Sequence, residues 1–105
     1  MSSTKEYLNY ILDQLSLLEE VSYRAMFGEY IIYYRGKIVG GIYDNRFLLK
    51  PVNSVLRLIA NAEYQIPYKG AKPMILAENI EDREFMCQLL NEMYEELPLP
   101  KKKKK

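Results

Sequence analysis

The chain has 105 residues, a formal net charge of +1, one cysteine (Cys87), ten tyrosines and no histidine. That length suits one domain able to bury about two-thirds of its unfolded surface, while the missing imidazole excludes Ser-His-Asp and Cys-His catalysis and His-ligated zinc, and the lone thiol excludes an internal disulfide. With Lys101, Lys102, Lys103, Lys104 and Lys105 set aside, ten basic residues face fourteen acidic ones, so the body is acidic and argues against a broad DNA-binding face.

Ser3-Thr4-Lys5-Glu6 has capping-box spacing, and Tyr7, Leu8, Ile11, Leu12, Leu15 and Leu18 recur on one stripe, which predicts a helix over 4–19. From Val21 the period changes to two. The runs "VSYRAMF", "EYIIYY", "KIVGGIY" and "RFLLK" are cut by Gly28, Arg35-Gly36 and Asp44-Asn45, short hairpin signals that predict an antiparallel meander. Ile31 and Tyr33 face opposite to Tyr30, Ile32 and Tyr34. Both sets are apolar or amphipathic, so one face packs on helices and the other is unusually apolar for a wetted surface.

"PVNSVLRLIANA" predicts a short helix with Pro51 near its first turn, and "YQIPY" and "KPMILAE" predict two short strands around Lys69-Gly70. Pro67 and Pro73 assign them to edges or strand ends. In the last helix Asn79 is the expected cap, Glu81, Asp82 and Glu84 suit the positive end, and Phe85, Met86, Leu89, Leu90, Met93 and Leu97 form the apolar stripe. Pro98 and Pro100 stop it. The expected organisation is a domain over 1–97 followed by a disordered Pro/Lys tail over 98–105. The fold class is α+β: a two-layer arrangement in which an antiparallel sheet, a meander plus two short strands, packs with helices in the order helix, three or four strands, helix, two strands, helix.

Chemistry-bearing residues are sparse. Arg24, Glu29, Asp44, Arg46 and Lys50 charge the meander without any diagnostic spacing, and strand-end charges of this kind are ordinarily solvated or paired. Gly36, Gly40 and Gly41 lie within hairpins instead of between a strand and a helix, so they make no phosphate cradle; Gly40-Gly41 reads as close packing or a bulge. Tyr30, Tyr33, Tyr34 and Tyr43 would suit a base-stacking platform, but platforms come with basic grooves, and the acidic body favours a core or interface role. Cys87 has no activating basic neighbour beyond Arg83 and reads as a packing residue. No cofactor or metal is expected. "MSSTKEYLNYILDQL" lacks the features of a secretory signal and no apolar run approaches about 18 residues, so a cytoplasmic location with no membrane partner is the expectation.

"RAMFGEYIIYYRGK" followed by "DNRFLLK" resembles the N-terminal domain of the TfoX/Sxy competence-regulator family over most of residues 4 to 97. Its carriers are Arg24, Met26, Phe27 and Gly28 entering the first turn, Tyr30 and Tyr34 in the next strand, Gly36 in the hairpin and Lys50 ending the meander. Glu29 departs from the pattern, standing where many relatives have a second glycine. The resemblance implies an α+β fold and a link to natural transformation, in which full-length members are described as transcriptional coactivators acting with a DNA-binding regulator. It implies no catalytic residues. The resulting expectation is a free-standing, non-enzymatic N-terminal domain that associates with protein, as a homodimer, through the apolar outer face or an edge of its sheet. Two other readings stay open: a nucleic-acid accessory protein tethered by Lys101 to Lys105, and a small enzyme or ligand-binding domain using Glu29, Lys50 or tyrosine.

Overall fold

The computed structural model describes residues 3–97; the predicted tail, with Lys101 to Lys105, lies outside them. The chain runs α1 (Lys5–Gln14), β1 (Val21–Met26), β2 (Glu29–Tyr34), β3 (Lys37–Ile42), β4 (Phe47–Leu49), α2 (Asn53–Leu58), β5 (Tyr64–Gln65), β6 (Met74–Leu76) and α3 (Arg83–Glu96). The α+β class and the element order are as the sequence predicts.

Helix α1 starts one residue later than the capping-box spacing suggests. Thr4 is the N-cap, its hydroxyl accepting from the Tyr7 amide at 3.1 Å, because Ser3 is engaged elsewhere: its amide donates to Gly28 O at 3.0 Å and its hydroxyl to Glu29. The helix also ends earlier than the predicted 19, at Gln14, whose Nε2 donates to Ile80 O at 2.8 Å.

The first three hairpins close through two-residue turns with both central residues at positive φ: Phe27-Gly28 at 53° and 81°, Arg35-Gly36 at 53° and 85°, and Asp44-Asn45 at 54° and 57°. These are type I′ dihedrals, whose twist matches that of the flanking strands. The β2–β3 register slips between Ile32 and Tyr33 of β2, leaving Val39 of β3 as an extra residue. Gly40 is required there, since a Cβ would lie 2.0 Å from Leu48 O. Gly41 faces the opposite side, where the Tyr43 ring folds back over it and a Cβ would lie 2.7 Å from that ring. The expected bulge and close packing at Gly40-Gly41 are therefore present, and the Tyr43 ring occupies the space above Gly41.

The strands form one sheet in the order β1-β2-β3-β4-β6-β5, every neighbouring pair antiparallel. The chain leaves β4 through α2, lays down β5 at the far edge and returns to insert β6 beside β4. One face carries the core: Leu8, Ile11 and Leu15 of α1, Val55 of α2 and Met86, Leu89, Leu90 and Met93 of α3 pack on Ile32, Ile42, Phe47, Leu49 and Ile75. Tyr34 belongs to this layer, donating to Asn91 Oδ1 at 2.6 Å while its ring meets Tyr94 edge-on at 5.7 Å. Lys37 Nζ donates to Tyr94 O at 3.0 Å and lies 4.0 Å above the Tyr94 ring, a cation placed at the negative end of α3. The cap of α3 is Asp82, which accepts from the Phe85 amide at 3.1 Å. Asn79, the expected cap, instead turns the chain at φ 58°, where its carbonyl accepts from the Asp82 amide.

Candidate functional site on the open sheet face

Side-chain alternation along β1 and β2 puts Arg24, Met26, Glu29, Ile31 and Tyr33 on the face away from the helices. Arg24 stands across from Ile31 and Met26 across from Glu29. β1 is also an edge strand, five of its six residues are exposed, and it carries neither proline nor lysine to block further pairing.

The turn after β1 is the most unusual point of this face. Phe27 is 96% exposed and sits at φ 53°. Left-handed backbone costs an ordinary side chain about 1–2 kcal/mol, and a type I′ turn favours Asn, Asp or Gly at this position. Neither burial nor turn geometry accounts for a phenylalanine there. Beside it a groove of about 450 Å³ is lined by Met26, Phe27, Glu29, Ile31, Tyr43 and Tyr68. The Tyr43 and Tyr68 rings form its far wall, 5.9 Å apart and tilted by 54°. Burial first, then neighbouring Tyr68 and Glu29, push the Tyr43 phenol above its ordinary value, so it stays neutral.

Glu29 is the polar member of the groove and acts as a latch. Its Oε1 accepts from Ser3 Oγ at 2.7 Å and from the Asp44 amide at 3.1 Å, while Ser3 Oγ accepts from the Asn45 amide at 3.0 Å. One carboxylate thus joins the chain start, the first hairpin and the third turn. This geometry gives Glu29 a structural role.

The structure divides the sequence-predicted residues into three groups. Met26, Phe27 and Gly28 form the exposed turn, with Arg24 on the same strand and in no ion pair among the described residues. Tyr30 and Tyr34 point to the helix side, where Tyr30 meets Tyr23 at 5.8 Å, and Gly36 turns the second hairpin in open space. Lys50 follows β4 at the opposite end of the sheet from Glu29, across the rows Tyr30–Ile42–Phe47 and Ile32–Gly40–Leu49. The four meander tyrosines split between two faces and make no common stacking platform. Arg46 is spent on Tyr43 O at 3.0 Å and Gln65 Oε1 at 2.5 Å. Cys87 is half-buried, 3.6 Å from Asn91 Nδ2.

Sequence reasoning missed Ile31, Tyr43 and Tyr68 as groove residues. For Tyr68 the loop would have had to be known to fold back over the sheet, and no periodicity carries that information. Among the described residues no three His, Cys, Asp or Glu side chains gather to hold a metal, and no helix is long and apolar enough to cross a membrane.

Comparison with known proteins gives two findings. The TfoX N-terminal domain family matches residues 13–97. An uncharacterized 12.7 kDa protein in the trpE 5′ region of Spirochaeta aurantia is 35% identical over 105 residues, covering 99% of this chain and 91% of that relative. No solved structure matches the chain.

Proposed function

The chain belongs to the TfoX N-terminal domain family, and from that premise we propose that it is a cytoplasmic, non-enzymatic protein-association module of transcriptional control, of the kind used in competence regulation. It pairs with a second copy through the free edge of β1 and the turn at its end. The observation that carries this reading is Phe27, an aromatic ring displayed in full on a backbone conformation that disfavours it. An exposed aromatic anchor beside an apolar groove is the usual composition of an interface centre.

Symmetry favours a second copy as the partner. A two-fold interface needs one surface that is complementary to itself, and Phe27 with the adjoining groove supplies both the projection and the recess. Antiparallel pairing of two β1 strands would satisfy the edge backbone groups at the same contact. The non-catalytic part of the reading draws support from the charged groups: Glu29 is committed to Ser3 and Asp44, and Lys50 lies at the other end of the sheet.

Sedimentation equilibrium of the full chain, alone and with duplex DNA at low and physiological salt, tests the proposal. A dimer that Phe27→Asn converts to monomer, with no DNA-dependent mass, is the expected result. A wild-type chain that stays monomeric at high micromolar concentration would overturn it, and salt-sensitive DNA binding by the monomer would move the function to nucleic acid.

A further inference from the structure

A second cleft adjoins the groove on the open face, with Tyr43 and Tyr68 between them, and lies between the end of β4 and the loop over residues 66–73. Its volume is about 590 Å³, and Tyr43, Tyr64, Tyr68, Met74, Lys50 and Lys72 are among its lining residues, together with three prolines. That size falls inside the range of about 300–1,000 Å³ common for small-molecule sites. The lining is apolar and flat, made of aromatic rings and pyrrolidines. Its charged members are two lysines, neither of which forms an ion pair among the described residues, and no acidic residue lines the cleft.

We propose that this cleft binds a small planar aromatic anion, its ring lying on the tyrosine and proline walls and its charge answered by Lys50 and Lys72. Two cations without a counter-charge repel a cationic ligand and give a neutral one no added attraction, while a bare inorganic anion would gain nothing from the apolar walls. The walls themselves carry no competing negative charge at neutral pH, since Tyr43 is a neutral phenol. The loop that forms one wall is braced from within. Pro67 is buried, Gly70 turns the chain at φ 89°, and the Ala71 amide donates to Tyr68 O at 3.0 Å. The inference goes beyond the association reading: the cleft shares Tyr43 and Tyr68 with the groove beside Phe27, but its lysines and prolines take no part in that groove.

The test is a titration of the isotope-labelled full chain with 1-naphthoate, followed by amide chemical shifts, beside the neutral 1-naphthalenemethanol. Saturable shifts at Lys50, Tyr64, Lys72 and Met74 are expected. The neutral analogue and a Lys50→Gln/Lys72→Gln variant with an otherwise unchanged spectrum should each bind at least about fivefold more weakly, the effect of two partly solvated charge contacts. Three results would overturn the proposal: no saturable shift at millimolar naphthoate, saturation mapped to other residues, or equal affinity for the neutral analogue or by the double variant. Sedimentation equilibrium run without naphthoate reads the dimer by itself, so the two readings fail separately.

Discussion

Glu96 Oε1, near the end of α3, accepts two hydrogen bonds from Ser54 in the first turn of α2: one from its amide at 2.7 Å and one from its hydroxyl at 2.8 Å. Val52, the residue at the α2 N-cap, has no side chain that can accept one. A carboxylate from a distant helix therefore does the capping, and it also faces the positive end of the helix dipole.

This contact makes stability depend on pH. The two Ser54 hydrogen bonds, with Arg57 assisting and partial burial opposing, hold the Glu96 carboxyl below the usual range. Its folded value is below its unfolded one, so the stability it contributes is complete above the unfolded glutamate pKa of about 4.3 and is lost as pH falls through the lower folded value. Urea midpoints measured from about pH 6 to about pH 3 should fall less steeply for Glu96→Gln than for wild type. Parallel curves would show that the bond contributes nothing.

Gly40→Ala and Gly36→Ala should differ sharply. At Gly40 the new methyl meets the Leu48 backbone, which cannot move without breaking β3–β4 pairing, and a loss of about 3 kcal/mol is expected. At Gly36 there is open space but φ is 85°, so the loss should be only about 1 kcal/mol. Equilibrium denaturation of the two variants side by side checks the ranking.

Phe27→Asn should have opposite effects on folding and on association. It creates Asn-Gly, the preferred pair for a type I′ turn, and should stabilise the isolated fold by about 1 kcal/mol. The same change removes the exposed ring. A variant that melts higher at low concentration yet no longer dimerises would separate the two roles, whereas one that loses stability would mean that the ring packs within its own chain.

Ser3→Ala should loosen the latch at Glu29. It leaves the Asn45 amide without its acceptor and Glu29 with one donor fewer, at a cost of about 1 kcal/mol. Amide exchange should quicken first at Asp44 and Asn45. Unchanged protection there would mean that Ser3 is not bound in solution.

Much of this architecture was legible because local chemistry and tertiary demand agree. Gly28, Arg35-Gly36 and Asp44-Asn45 mark turns through their tolerance of positive φ, and the alternation of "EYIIYY" sorts Tyr30, Ile32 and Tyr34 from Ile31 and Tyr33 correctly. The errors occur where a distant partner decides. Ser3 has the right spacing to cap α1, but Glu29 and Asn45 hold it, and Thr4 takes its place. Asn79 resembles a cap and is used as a turn. The site was half visible: the residues around Phe27 could be named from the sequence, but Tyr43 and Tyr68 come together only through a loop that returns over the sheet.

The insertion of β6 between β4 and β5 also sets an order of events during synthesis. Phe47, Leu48 and Leu49 are all buried in the finished protein, yet one side of their strand stays unpaired until Met74 to Leu76 leave the ribosome. A nascent chain carrying only the meander therefore presents a greasy, hydrogen-bond-hungry margin that the finished protein does not. Any delay between the emergence of Leu49 and that of Met74 would prolong that exposure and give aggregation more time to compete with folding.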